Sequence, residues 1–163
     1  MANKPILLIT RDMPPLVEAR AIENYTARLN REDKIYDAEG LIAAAEGVDA
    51  LLTCGTEPLP RETFESLPKS VKIVACFTAG YDHVDLAAAE ARNIVVTNAP
   101  DALTDAVADI TLLLLLGAAR RAGEGEAIMR SGGWIDKHLL AMTGSEISGK
   151  RLGILGMGRI GRA

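Results

Sequence analysis

A chain of 163 residues is long enough for one domain, or for one domain and part of a second. Its 18 basic and 22 acidic residues leave a net charge of −4, which gives no electrostatic reason to expect nucleic acid or an anionic membrane as a partner. Cys54 and Cys76 lack a metal-ligand spacing, and no apolar run is long enough to span a bilayer. We therefore predict a cytoplasmic protein without a metal site.

Short apolar runs alternate with helical patterns along the first 100 residues. Strands are predicted at 6–9, 34–36, 50–53, 71–76 and 94–97, and helices at 16–29, 40–46, 61–67 and 86–91. Strands that alternate with helices indicate βαβ units and a parallel sheet. Because the strands are continuously apolar, the sheet is expected to be covered on both faces. The pattern predicts an α/β domain that ends near residue 100.

One long helix is predicted over residues 104–130. Thr104 is assigned to its N-cap, and Asp105 suits the first turn. From Ile110 to Ala119 the helix is apolar on nearly every side and includes five consecutive leucines. A helix that is apolar all round must be covered all round. We therefore predict a homodimer in which a partner subunit supplies the second cover.

A glycine motif lies near the end of the chain. Residues 152–155 are predicted as a buried strand, and residues 156–161 match G-x-G-x-x-G. In this motif Gly156 allows a tight turn, Gly158 leaves room for a pyrophosphate, and Gly161 lets the following helix pack against the strand. The helix N-terminus offers free N–H groups to the phosphates. An ordinary glycine-rich turn is the alternative, and the preceding strand favours dinucleotide binding.

Four segments together resemble the D-isomer-specific 2-hydroxyacid dehydrogenases, and within them the glyoxylate/hydroxypyruvate reductase branch. They are residues 76–85, residues 96–105, Arg120-Arg121 with residues 132–134, and residues 153–162. Their order and spacing agree throughout, so the resemblance covers nearly the whole chain. It implies a flavodoxin-like, doubly wound parallel-sheet substrate domain over residues 1–100. Residues 101–163 would then be a linker, a long dimerisation helix and the start of a Rossmann domain that binds NAD or NADP.

The resemblance also implies which residues meet the ligands. Ala79 and Gly80, which follow the fourth predicted strand, are expected to hold the substrate carboxylate through their N–H groups. From the residues alone, Gly80 as a simple turn residue is an equal alternative. Thr104 is expected near the nicotinamide. The pyrophosphate is expected to meet the glycine loop, at Gly156, Gly158, Arg159, Ile160 and Gly161.

The family's catalytic arginine, glutamate and histidine are expected beyond Ala163, so no catalytic residue is assigned within this chain. His83 and His138 are predicted to be bystanders in a turn and a polar loop. The resemblance implies an enzyme that uses NAD(P)H to reduce a small 2-keto acid such as glyoxylate or hydroxypyruvate. The 163-residue chain alone is predicted to be inactive.

Other functions stay open at this point. One is a non-catalytic NAD-binding interaction protein of the same fold, which would keep the glycine motif and the dimer helix. Another is a related enzyme that acts on formate or another small acid. A bare flavodoxin-like binding module is disfavoured by the glycine motif. The sequence does not choose between NAD and NADP, and it does not identify the acid.

Overall fold

The structure, a computed structural model, describes residues 4–134 and 140–163. The chain divides into two compact units, Met1–Ala102 and Leu103–Ala163. His138, predicted to be a bystander, lies outside the described residues. None of the helices in the described ranges has the length and apolar character that crossing a membrane requires.

The first unit is built on a five-stranded parallel sheet. Its strands are β1 Ile6–Ile9, β2 Thr26–Leu29, β3 Ala50–Thr53, β4 Ile73–Cys76 and β5 Val95–Thr97. The connecting helices are α1 Pro15–Asn24, α2 Ala38–Ala44, α3 Arg61–Ser66 and α4 Leu86–Ala91. The strand order is β2-β1-β3-β4-β5, so the direction of winding reverses between β1 and β3. This is the flavodoxin-like order, and the predicted doubly wound parallel sheet is confirmed.

Each face of the sheet buries an apolar cluster of its own. Successive strand residues point to opposite faces, so neighbouring residues of one strand join different clusters. Leu8 of β1 packs with Leu51, Val74 and Phe64 on one face. Leu7 and Ile9 pack on the other face, with Met13, Ala21 and Ala50. The two-sided cover expected from continuously apolar strands is therefore present, and it fixes the sheet edge from which the ligand loops leave.

The second strand lies earlier than predicted. The helix predicted over 16–29 ends at Asn24, residues 26–29 form β2, and residues 34–36 lie in a loop. β2 is an edge strand with exposed Thr26 and Arg28, so it lacks the continuous apolar run of the inner strands. Its pairing with β1, from Ile6 opposite Thr26 onward, decides its conformation. The short-range pattern could not show that pairing.

A left-handed residue divides the helix predicted over 104–130 into two helices. They are α5 Thr104–Ala119 and α6 Ala122–Arg130. Between them Arg121 has φ 55°, which is incompatible with a continuous right-handed helix. Its guanidinium donates to the Ala141 carbonyl at 3.2 Å and also pairs with Glu124 of α6. The prediction of one uninterrupted helix is therefore wrong.

Two further local predictions differ from the structure. Leu103 occupies the N-cap of α5 and Thr104 is already helical, so the predicted N-cap role of Thr104 is wrong. Residues 152–155 form no strand. A strand requires a neighbour to complete its hydrogen bonds, and none of the described segments pairs with this one. The segment leads into the glycine turn and then into α7, Arg159–Arg162.

Candidate functional site

The candidate site of the first unit lies at the carboxyl edge of the sheet. In open α/β sheets, ligands bind beyond the carboxyl ends of the strands, near the point where the strand order reverses. Here that point lies between β1 and β3, and β4 is the next strand along. The loops at this edge are residues 10–14 after β1, 30–37 after β2, 54–60 after β3, 77–85 after β4 and 98–102 after β5.

The turn that follows β4 is held in place by hydrogen bonds to its carbonyl groups. The Thr78 hydroxyl donates to the Gly80 carbonyl at 2.7 Å, and the Asn98 side-chain amide donates to the Ala79 carbonyl at 2.8 Å. The N–H of Ala99 donates to the Thr78 carbonyl at 2.9 Å. None of the described residues accepts a hydrogen bond from the N–H of Ala79 or Gly80. The turn is thus fixed in place while two adjacent donors remain available.

The backbone conformation at position 80 is not left-handed and does not require a glycine. Its φ lies outside the positive range, which in the described glycines is confined to Gly47, Gly132, Gly149 and Gly156. A Cβ on Gly80 would lie 3.3 Å from a carboxylate oxygen of Asp82, at the movable end of an exposed side chain. The backbone would therefore accept a larger residue at position 80. Its side chain would instead block a ligand that approaches the N–H groups.

The loop after β3 carries a buried carboxylate that sequence reasoning missed. Glu57 is 0% exposed, and its oxygens accept from the Cys54 N–H at 2.9 Å and the Thr56 hydroxyl at 3.1 Å. Burial, followed by the negative charge of Glu57, raises the pKa of the half-buried Cys54 thiol. Cys54 is therefore a neutral thiol at neutral pH. The only sequence signal for Glu57 is an acidic residue shortly after a strand end.

An arginine after β1 is the second group that the sequence did not indicate. Arg11 forms a two-pronged ion pair with Asp33, at 2.7 and 2.9 Å, and donates to the Thr56 hydroxyl at 2.7 Å. Hydrogen bonds from Arg11, and then from the N–H of Asp12, lower the pKa of Asp33 to about 2. Hydrogen bonding to Asp33 raises the pKa of Arg11. Three Arg11 donors are thus occupied by the protein itself.

The second unit contains the glycine loop. Gly156 has φ 94°, which a side chain would strain, and this bend forms the tight turn. A Cβ on Gly161 would overlap the Gly156 carbonyl oxygen, so α7 approaches the turn this closely only with glycine there. A Cβ on Gly158, the N-cap of α7, would meet none of the described atoms within 4 Å. This cradle of turn, open space and helix start fits a pyrophosphate group.

The other candidate residues take less specific places. Arg159 and Ile160 begin α7, directly after Gly158. Thr104 begins α5, which packs against α7 in the same unit. His83 lies in the turn after β4, and its carbonyl accepts from the Leu59 N–H at 2.9 Å. Its ring Nε2 is buried, without a hydrogen-bond partner among the described atoms. The structure therefore gives His83 a backbone contact to the loop before α3 and no visible proton-transfer partner.

Comparison with known proteins agrees with this architecture. Residues 7–152 match the family described as D-isomer specific 2-hydroxyacid dehydrogenase, catalytic domain. A glycerate dehydrogenase of Hyphomicrobium methylovorum is 40% identical over 161 residues, which are 99% of this chain and 50% of the relative. A glyoxylate reductase of Thermococcus litoralis is 40% identical over an alignment of 164 positions, which covers 98% of this chain and 49% of the relative.

Solved structures show the same likeness. The TT0316 protein of Thermus thermophilus superposes with a TM-score of 0.88 and 37% identity, over 96% of this chain and 50% of the other. An NADPH-dependent glyoxylate/hydroxypyruvate reductase of Sinorhizobium meliloti, in complex with NADP and malonate, gives a TM-score of 0.81 and 33% identity. That match covers 98% of this chain and 48% of the other. The chain spans about half the length of the curated relatives it matches.

Proposed function

Since the chain belongs to the D-isomer-specific 2-hydroxyacid dehydrogenase family, we propose that it forms the N-terminal half of an oxidoreductase that passes a hydride between NAD(P)H and a small 2-keto acid. Glyoxylate and hydroxypyruvate are the proposed substrates, because relatives are named for these or for the related glycerate. The observation that carries the proposal is the pair of unbonded N–H groups at Ala79 and Gly80.

These two N–H groups form the proposed substrate clamp. A carboxylate accepts hydrogen bonds from adjacent backbone donors, and such charge-assisted bonds are stronger than neutral ones. Thr78 and Asn98 hold the carbonyls of the same turn, so the donors are oriented before the substrate arrives. The clamp would bind any small 2-keto acid through the group that all of them share. The residues around the remainder of the substrate would then determine which acid is bound.

The glycine loop of the second unit is the proposed cofactor site. We assign the pyrophosphate to Gly156, Gly158, Arg159, Ile160 and Gly161, because their turn and helix start provide the required open space. Thr104 is assigned to the nicotinamide end, and NAD(P)H, when bound, supplies the hydride. Either NAD or NADP fits this assignment, although one related structure holds NADP.

The remaining parts of the proposal concern organisation. We assign residues 1–100 to the substrate domain and residues 101–163 to the linker, the dimer helices and the start of the Rossmann domain, close to the division into compact units. The catalytic arginine, glutamate and histidine would come from polypeptide after Ala163. We place the enzyme in the cytoplasm, since the free thiols of Cys54 and Cys76 suit a reducing compartment.

We also propose that the enzyme is a homodimer that covers α5. Five consecutive leucines of this helix, Leu112 to Leu116, are exposed in the single chain. Leu114 alone is 65% exposed. Contiguous exposed apolar surface of this kind marks an interaction site. The rest of the proposed Rossmann domain would cover one side of α5, and a second copy of the chain would cover the other side by presenting the same surface.

The clamp is testable by following one amide. In the full-length protein labelled at glycine nitrogen, the N–H resonance of Gly80 is expected to shift when glyoxylate is added in the presence of oxidised cofactor. The resonance of Gly123, exposed in α6 of the other unit, serves as the control and is expected to stay unchanged. An unmoved Gly80 resonance at glyoxylate concentrations that saturate turnover would contradict the proposed clamp.

A further inference from the structure

Packing in the apolar core does not explain why the Glu57 carboxylate is buried. Moving a carboxylate out of water is costly unless hydrogen bonds replace the lost hydration. No cation among the described residues forms an ion pair with Glu57. Its two oxygens instead accept from the Cys54 N–H and the Thr56 hydroxyl, the two sides of Gly55. The carboxylate therefore closes the loop after β3 around Gly55.

Thr56 connects this closed loop to the neighbouring strand. Its hydroxyl accepts from Arg11 at 2.7 Å and donates to Glu57 at 3.1 Å, so it joins the two side chains as acceptor and donor at once. Arg11 is held in turn by the two oxygens of Asp33, in the loop after β2. The loop after β3 is thus tied to the loops of the two preceding strands in the sheet.

Gly55 connects the loop after β3 to the turn after β4. A Cβ on Gly55 would lie 3.6 Å from the Thr78 methyl carbon, an ordinary van der Waals distance, so the two loops are neighbours at this point. The Thr78 hydroxyl holds the Gly80 carbonyl, and Asn98 holds the Ala79 carbonyl. From Asp33 to Asn98, the contacts cross the carboxyl edge of the sheet in strand order. The turn after β4 is supported from both of its neighbours.

We propose that Glu57 and Thr56 are positioning residues for the substrate carboxylate. They hold Gly55 against Thr78 and so set the direction in which the N–H groups of Ala79 and Gly80 point. This inference rests on the proposed function, because it needs a keto acid at that turn. Hydrogen-bond strength falls steeply with misalignment, so a small shift of the turn weakens carboxylate binding. The Glu57 oxygens are buried and engaged, and they act only through the loop.

The test compares four variants of the full-length protein in steady-state reduction of glyoxylate. Thr56→Val removes the hydroxyl that joins Arg11 to Glu57, and because Thr56 is exposed, the core stays intact. Its KM for glyoxylate is expected to rise about tenfold, with the dissociation constant of NADPH unchanged and kcat less affected. Thr56→Ser keeps the hydroxyl and is expected to restore the wild-type KM. Glu57→Gln keeps the shape and one acceptor, and should raise KM by a smaller factor.

Thr63→Val is the matched control. Thr63 is a buried threonine of α3 whose hydroxyl has no partner among the described atoms, so its loss is expected to leave the KM for glyoxylate and the dissociation constant of NADPH unchanged. A Thr56→Val enzyme with wild-type KM would overturn the positioning role, as would equal losses of glyoxylate and NADPH binding. A folded wild-type enzyme that reduces no 2-keto acid would overturn the proposed function, and the positioning role with it. If the wild type is active and Thr56→Val leaves the KM for glyoxylate unchanged, the positioning role alone is overturned.

Discussion

At the level of single residues, the proposed site depends on backbone donors that side chains hold in place. The clamp is made of the N–H groups of Ala79 and Gly80, whereas the side chains of Thr78 and Asn98 bond to the carbonyls. Such an arrangement places the binding donors without competing for them. It also means that a substitution tests the clamp by blocking access to the N–H groups rather than by deleting a functional group.

Gly80→Val is expected to raise the KM for glyoxylate about tenfold or more while NADPH binding stays unchanged. The branched side chain would stand in the path of the substrate carboxylate. The backbone of Gly80 lies outside the left-handed region, so the substitution introduces no φ strain there. Titrations of both ligands into the folded variant check the prediction. Equal losses for glyoxylate and NADPH would show that Gly80 has only a structural role.

The ion pair of Asp33 with Arg11 predicts an acid-dependent stability. The folded pKa of Asp33 is about 2, below its ordinary value of 3.8, so the pair contributes stability above pH 3.8 that is lost as the pH falls towards 2. Asp33→Asn removes this titration, and asparagine tolerates the φ of 49° at this position. The variant should be less stable than wild type at neutral pH and lose less stability between about pH 4 and pH 2. Urea unfolding across that range measures both, and identical acid dependence would contradict the assignment.

At the level of elements, the glycine loop is the most sharply constrained piece of the second unit. Gly161→Ala would place a Cβ on the Gly156 carbonyl oxygen and force α7 away from the turn. NADPH binding by the full-length protein is expected to weaken at least about tenfold, measured by fluorescence titration. Gly123→Ala, at a position in α6 with open space around it, is the control and should bind NADPH normally. If Gly161→Ala binds NADPH with undiminished affinity, the glycine loop does not take part in cofactor binding.

Local sequence patterns predicted the elements that carry their own signal. Residues 50–53 and 86–91 were assigned from the sequence with the bounds that the structure shows for β3 and α4. Elements decided by distant contacts were missed. β2 exists because it pairs with β1, and the break at Arg121 comes with a bond to Ala141, 20 residues away. Glu57 bonds to the nearby Cys54 and Thr56, but its burial is visible only in the folded loop, and for that reason it was missed.

For the whole molecule, the exposed leucines of α5 predict assembly. Leu114→Glu is expected to convert a dimer of the full-length protein into a monomer, because a charge would enter an interface that buries more than about 1,200 Å² in total. Leu16→Glu is the matched control, since Leu16 of α1 is 82% exposed and lies in the other unit. Light scattering at micromolar concentration distinguishes the two states. A monomeric wild type would contradict the proposed dimer.

We propose that this chain supplies the substrate clamp and the pyrophosphate loop of a reductase whose catalytic groups lie elsewhere in the polypeptide. Keto-acid-dependent oxidation of NADH and of NADPH, measured side by side for the full-length protein and for residues 1–163 alone, tests this proposal most directly. We expect saturable reduction of glyoxylate or hydroxypyruvate by the full-length protein and none by the 163-residue chain. Turnover by the 163-residue chain, or a folded full-length protein that reduces neither acid with NADH or NADPH, would contradict it.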